Sequence, residues 1–305
     1  MRIAIMAAGG VGGYFGGRLA AAGHSVHFLA RGAHLAAMRK SGLRIESPLG
    51  NLHIQDVAVT DDPVVIGPVD AILFAVKLWD TDQAAEACNP LLGPETLVVP
   101  LQNGVSSMDV LTRHLGEEYV AGGVAHIAAV IAAPGLIRHS GTMARLTVGE
   151  RDGRRSARID ALLAALKDAG IDHAYADDIT RVIWEKFVFL SALSGLTTLC
   201  RQAIGPIRSD PDARALFEGA IGETAAVARA VGVKLADNAE VKTMQFTDGL
   251  PDGMKASMLH DLENGRRLEL PWLSGEVVRL GRKRGIPTPV HSAVYGALKF
   301  YAAGT

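Results

Sequence analysis

Lys186 lies in the run Trp184-Glu185-Lys186-Phe187, flanked by Val182, Ile183, Val188, Phe189 and Leu190. A helix carrying that pattern must hold an ammonium near apolar neighbours. This is costly unless the group is paired or faces a cleft; the other reading is a surface lysine laying its stem along an apolar face. Ser257-Met258-Leu259-His260-Asp261 puts Ser257 and Asp261 on one helical face at i, i+4. A helix cap and a surface ion pair are the ordinary accounts of those two, beside a role in binding. Glu269 comes just before Pro271, as a favourable charge at a helix start or as a carboxylate aimed into a cleft. Asn103 follows the apolar run Leu97 to Leu101 in Gln102-Asn103-Gly104. It is either a turn residue or a group beyond the carboxyl end of a parallel strand, where ligands of such sheets lie. Lys77 stands at the same place after Ala71 to Val76, as a strand-end charge or a cofactor contact.

The first thirty-one residues tie these groups to a ligand. Arg2 to Met6 reads as a buried strand, Tyr14 to Ala22 as a helix and Ser25 to Ala30 as a second strand. The intervening Ala7-Ala8-Gly9-Gly10-Val11-Gly12-Gly13 fits GxGxxG at Gly9 and Gly12. Such a turn, through Gly9, Gly10, Val11 and Gly12, lets the backbone approach a pyrophosphate at a helix N-terminus. The first glycine position is Ala7, where alanine is costly if the backbone needs positive φ. Arg31 stands where an acidic residue would select a ribose 2′-hydroxyl; a cation there suits a 2′-phosphate, so NADP is the expected cofactor.

These groups are positioned by an alternating first half. Ala33 to Ser41 reads as a helix, and Leu43 to Glu46 with Leu52 to Val59 as a hairpin turning at Pro48 to Asn51. Ala71 to Val76 and Thr96 to Leu101 read as buried parallel strands, with helices Thr81 to Leu91 and Met108 to Leu115 after them. That rhythm predicts an α/β, Rossmann-type doubly wound sheet, with Tyr119 to Val148 adding strands at one side. Helix Arg151 to Ala169 and strand Asp172 to Ala176 complete a cofactor-binding domain of residues 1–176. Residues 177–305 read as an all-helical substrate-binding and catalytic domain, with helices Asp178 to Leu199, Pro211 to Val231, Asn238 to Phe246, Lys255 to Glu263, Pro271 to Arg284 and Val290 to Tyr301.

Composition narrows the class. The chain has 305 residues, 49% hydrophobic and 21% charged, with formal net charge −1, so no global field recruits nucleic acid or an anionic membrane. No apolar run approaches the ~20 residues that span a bilayer, and Met1-Arg2 leads straight into a strand without a signal peptide; a cytoplasmic protein is expected. Cys88 and Cys200 read as two buried free thiols, and no spacing suggests a metal. His126, His139 and His291 read as structural or surface residues. The long apolar helix Asp178 to Leu199 can bury its second face in its own domain or in a partner copy, so a homodimer is possible.

As an ordered set these pieces resemble the ketopantoate reductase (2-dehydropantoate 2-reductase) family over essentially the whole chain. The resemblance rests on AAGGVGGYFGGRLAAAGH with Arg31, VK at 76–77, QNG at 102–104, WEKF at 184–187, SMLHD at 257–261 and RLELPWLSG at 267–275. It implies a Rossmann domain joined to a helical one, with NADPH and a 2-oxo acid meeting in the cleft, and a place in pantothenate biosynthesis. It implies that Lys186 is the general acid, Glu269 supports the reacting centre, Ser257 binds substrate, and Asn103 lies near nicotinamide and substrate. Arg31 would hold the 2′-phosphate, with Lys77 near the adenosine end.

The sequence departs from the family pattern in three places. Asparagines common one and two turns after the lysine are Leu190 and Ser194 here, and the one three residues before the serine is Met254. Either Ser194, Gln202 or Thr197 takes over those contacts, or the substrate is less polar. The alternatives are a related reductase or dehydrogenase of another small carboxylate, and a dinucleotide-sensing module without catalysis.

Overall fold

The computed structural model describes residues 1–304, in two compact units divided between Ile179 and Thr180. In the first, strands β1 (Arg2–Met6) and β2 (Ser25–Leu29) are joined by helix α1 (Gly10–Ala21). Helix α2 (Gly32–Ser41) follows, then β3 (Leu43–Glu46), β4 (Leu52–Ile54), β5 (Ala58–Thr60) and β6 (Ala71–Phe74). Helix α3 (Thr81–Glu86), strand β7 (Leu97–Pro100) and helix α4 (Ser107–Leu115) precede the long pair β8 (Ala121–Ala133) and β9 (Leu136–Glu150). Helix α5 (Ala157–Asp168) and β10 (Asp172–Tyr175) close the unit.

The main sheet is wholly parallel in the order β5-β2-β1-β6-β7, a doubly wound arrangement. Its central strands are apolar because they are buried on both faces: Ile3, Ile5, Ile72, Leu73, Leu97 and Val99 have no exposed surface. Each such side chain contributes about 1.5–3 kcal/mol by leaving water.

Two expectations for this half are corrected. Leu52 to Val59 is not one arm of a hairpin: β4 pairs antiparallel with β3, but Ala58–Thr60 leaves to become the parallel edge strand beside β2. The strands after Tyr119 do not extend the main sheet. They build a second one, β10-β9-β3-β4 with β8 on β9, linked to the first by a lone bridge from Val98 to Val120. Length decides this, because β8 and β9 pair with each other along most of their residues and leave the first sheet behind.

The second unit is helical: α6 (Ile179–Cys200), α7 (Ile204–Ser209), α8 (Pro211–Ala230), α9 (Ala239–Asp248), α10 (Ser257–Glu263), α11 (Ser274–Arg284) and α12 (Pro289–Leu298). Helix α7 was not expected from the sequence, and Pro271 opens a separate 3-10 turn, Leu270–Trp272, rather than α11. Helix α6 also corrects the reading that no apolar run approaches membrane-spanning length, since by length and composition alone it qualifies. Every residue from Ser191 to Thr198 is buried, so it is apolar on all sides as the central helix of a bundle.

One polar chain inside this bundle is matched, while Thr198 Oγ1, Ser274 Oγ and His291 Nδ1 are buried without a hydrogen-bond partner. The Ser191 and Thr224 hydroxyls lie 3.0 Å apart, and Thr224 Oγ1 is 2.9 Å from His291 Nε2. Nε2–H donates to the Ala220 carbonyl at 3.0 Å. The Glu223 carboxylate accepts the Val290 and His291 amides at 2.7 and 2.9 Å, placing a negative charge at the start of α12. His291 is fully buried, and burial pushes its pKa down to about 4. The unfolded chain, with histidine near 6.5, therefore binds more protons than the native state between about 4 and 6.5, and stability falls as pH drops through that window. The native protein should lose on the order of 3 kcal/mol at this residue between pH 7 and pH 4. Urea unfolding of His291→Gln, which keeps a donor but does not titrate, should show a flatter pH dependence than the parent.

Candidate functional site

The carboxyl ends of the parallel strands share one edge, and the candidate residues of the first unit follow them. The glycine-rich turn follows β1, Arg31 follows β2, Lys77 follows β6 and Asn103 follows β7. Helix α1 begins at Gly10, earlier than its apolar pattern suggests, because the glycines belong to the helix and let it sit on the sheet. A Cβ on Gly10 would lie 2.1 Å from the Ala129 carbonyl oxygen, and one on Gly12 2.2 Å from that of Ala7. A Cβ on Gly9 would meet nothing within 4 Å; it would project into the open space beside the turn. Gly9 is the N-cap, and α1 has no side-chain cap and no acidic residue in its first turn. Its leading amides around Val11 are thus available to an anion, as a dinucleotide pyrophosphate requires.

Ala7 has φ +76°, in the left-handed region that glycine ordinarily fills. The turn is held from both sides. The Ala8 N–H donates to the Leu29 carbonyl at 2.8 Å, and the Ala8 carbonyl accepts from His34 Nε2–H at 2.9 Å.

Arg31 is exposed at the N-cap of α2, another helix start without side-chain capping. Lys77 is exposed, with Nζ 5.5 Å from the centre of the Trp79 ring. Asn103 is half-buried between Gln102 and Gly104, whose φ of +81° makes the turn after β7. Gln102 braces that turn, its Nε2 donating to the Val76 carbonyl at 3.0 Å and to Thr81 Oγ1 at 2.9 Å. One amide thus ties the Lys77 and Asn103 segments together.

In the second unit Lys186 lies on α6 and Glu269 at the N-cap of the Leu270–Trp272 turn. Burial pulls the Lys186 pKa down to about 8, while the charge of Glu269 pulls it up; the two groups are electrostatically coupled. Glu269 is itself buried. Ser194 is buried two turns beyond Lys186 on the same helix, and Leu190 between them is half-buried. Ser257 is exposed in the first turn of α10; Ala256 is the N-cap, so capping does not account for the serine.

Sequence reasoning passed over Arg208. It donates to the carbonyls of Thr247, Asp248 and Leu250 at 2.6, 3.1 and 2.7 Å, and pairs with Asp252. The loop leading through Met254 to Ser257 is held this way, and nothing local in the sequence joins residues so far apart. Among the described residues no group of His, Cys, Asp and Glu is arranged to hold a metal.

Comparison with known proteins matches both units. The family model described as "Ketopantoate reductase PanE/ApbA" matches residues 3–153, and "Ketopantoate reductase PanE/ApbA C terminal" matches residues 178–302. The chain is 32% identical over 303 residues to the "Uncharacterized oxidoreductase YkpB" of Bacillus subtilis, covering 99% of each chain. It is 31% identical over 320 residues to a 2-dehydropantoate 2-reductase of Mesorhizobium japonicum, covering 98% of this chain and 97% of that one. The crystal structure of 2-dehydropantoate 2-reductase from Geobacter metallireducens superposes with a TM-score of 0.91 at 32% identity, covering 98% of this chain and 99% of that one.

The left-handed Ala7 yields a test of the turn. An L-residue there costs about 1–2 kcal/mol, and glycine's greater unfolded-state freedom returns part of that. Ala7→Gly should therefore raise the unfolding free energy by about 0.5–1 kcal/mol in urea. A lowered midpoint would show that the turn carries no strain.

Proposed function

The chain belongs to the ketopantoate reductase family, a family of oxidoreductases, and from that membership we propose that it reduces a 2-oxo acid with NADPH, 2-dehydropantoate (ketopantoate) to pantoate being the leading reaction. The observation that carries this reading is the Lys186–Glu269 pair: an ammonium made more acidic by burial and kept charged by a buried carboxylate. Bound NADPH supplies the hydride. As hydride reaches the keto carbon, charge gathers on oxygen; Lys186 Nζ stabilises it and delivers the proton. One such donor is worth on the order of 3 kcal/mol, and proton transfer contributes ~100-fold or more. Glu269 orients the ammonium and favours its charged form.

In this reading Asn103, Ser257 and Ser194 bind substrate. Gly9, Gly10, Val11 and Gly12 take the pyrophosphate, a fit supported by the open space at Gly9 and the uncapped start of α1. Arg31 and the leading amides of α2 take the 2′-phosphate, Lys77 the adenosine end, and Asn103 also serves the nicotinamide side. Leu190, half-buried on the helix that carries Lys186, and the exposed Met254 favour a second reading, reduction of another 2-oxo acid with a less polar tail. An amide-sized polar group of the substrate left unpaired there would cost ~1–3 kcal/mol.

NADPH oxidation followed at 340 nm with a panel of 2-oxo acids tests both readings, activity confined to ketopantoate supporting the first. Lys186→Ala should abolish turnover while NADPH still binds; full residual turnover removes Lys186 from the mechanism. Because the protonated form is required, kcat should fall as pH rises through about 8, and Glu269→Gln should move that limb to lower pH. Arg31→Ala should weaken NADPH binding on the order of tenfold and leave NADH binding nearly unchanged. Equal losses for the two cofactors would detach Arg31 from the 2′-phosphate.

A further inference from the structure

His34 lies in the first turns of α2, half-buried, with both ring nitrogens engaged. Nε2–H donates to the Ala8 carbonyl at 2.9 Å, and Nδ1 accepts the Gly135 N–H, from the turn between β8 and β9, at 3.0 Å. These partners require the neutral Nε2–H tautomer, since a carbonyl can only accept and a backbone amide can only donate. Burial lowers the pKa of the ring, in keeping with that form.

The placement bears on the residue that departs from the glycine signature. Ala7 is left-handed, and Ala8 is the next residue, pinned at its N–H by Leu29 and at its carbonyl by His34. In a trans peptide the carbonyl and the following N–H point to opposite sides, so fastening the Ala8 carbonyl to His34 turns the Gly9 N–H away from the histidine. The Gly9 amide thereby takes a fixed direction at the start of α1, in a turn whose alanine would otherwise relax out of the left-handed region.

We infer that His34 is a positioning residue for the dinucleotide, its bond to the Ala8 carbonyl holding the Ala7 turn in the shape that presents the Gly9 amide to a phosphate. This rests on the reading that the turn takes a dinucleotide. His34 acts through the backbone and compensates for the alanine at position 7.

The two bonds can be separated by substitution. Asparagine places an acceptor where Nδ1 stands and loses the Ala8 bond; glutamine reaches as far as Nε2 and keeps a donor for Ala8. NADPH is titrated into the full-length protein and followed by fluorescence, with urea unfolding of each variant alongside. His34→Ala and His34→Asn should raise the NADPH dissociation constant about five- to tenfold, the equivalent of one hydrogen bond. His34→Gln should stay within about twofold of the parent, although it loses the Gly135 bond and some stability. In the Ala7→Gly background the His34→Ala effect should shrink to about twofold, because glycine holds the left-handed turn unaided. Binding by His34→Asn equal to the parent, or a His34→Ala penalty undiminished in the Ala7→Gly background, overturns the inference while parental binding leaves the dinucleotide reading intact. Failure of the parent to bind NADPH overturns that reading and this inference with it.

Discussion

The first unit depends on backbone-to-backbone contact between α1 and the strands beneath and beside it. Gly12 sits where any side chain would strike the Ala7 carbonyl, and Gly10 where it would strike Ala129 in β8. Glycine is a poor helix former, so its repetition in α1 is explained by this approach rather than by propensity. The chain leaves β1 and enters α1 within a few residues, and Ala7 makes that turn at positive φ. The amides that begin α1 are uncapped because the N-cap, Gly9, has no side chain.

Around that turn the parallel sheet does the gathering. Residues as distant in sequence as Arg31, Lys77 and Asn103 come to one edge because every strand of the sheet points the same way. Their segments are then braced by single polar side chains. Gln102 joins the loop after β6 to the loop after β7, and His34 joins the glycine turn to the end of the β8–β9 pair. Each brace supplies a donor to a loop carbonyl and fixes that loop against a neighbouring segment.

The second unit solves a different problem, placing a charge on its most buried helix. Helix α6 is enclosed along its C-terminal half, where Ser191 and Thr224 satisfy one another and His291 stays neutral. Nearer its start, burial lowers the Lys186 pKa to about 8, and the charge of Glu269, from a turn many residues later, works against that shift. Arg208 and Arg214 hold the segment from Thr247 to Asp252, Arg214 pairing with both oxygens of Asp248 at 2.7 and 3.0 Å. These contacts fix the segment that precedes α10 in the chain.

Local pattern by itself determined the parallel strands, the helical second half, the glycine turn and the residues that flank it, because apolar periodicity and turn chemistry act over a few neighbours. Ordered motifs such as WEKF and RLELPWLSG were equally legible, and family membership follows from them. Tertiary structure alone decided that Ala58–Thr60 joins the main sheet, that β8 and β9 found a second one, and that Ala7 is left-handed. It also decided the coupling of Glu269 to Lys186 and the part of His34, a histidine with no local signature. Strand partners, backbone strain and the acidity of a buried ammonium are set by groups far away in the chain, and only folding brings those groups within reach.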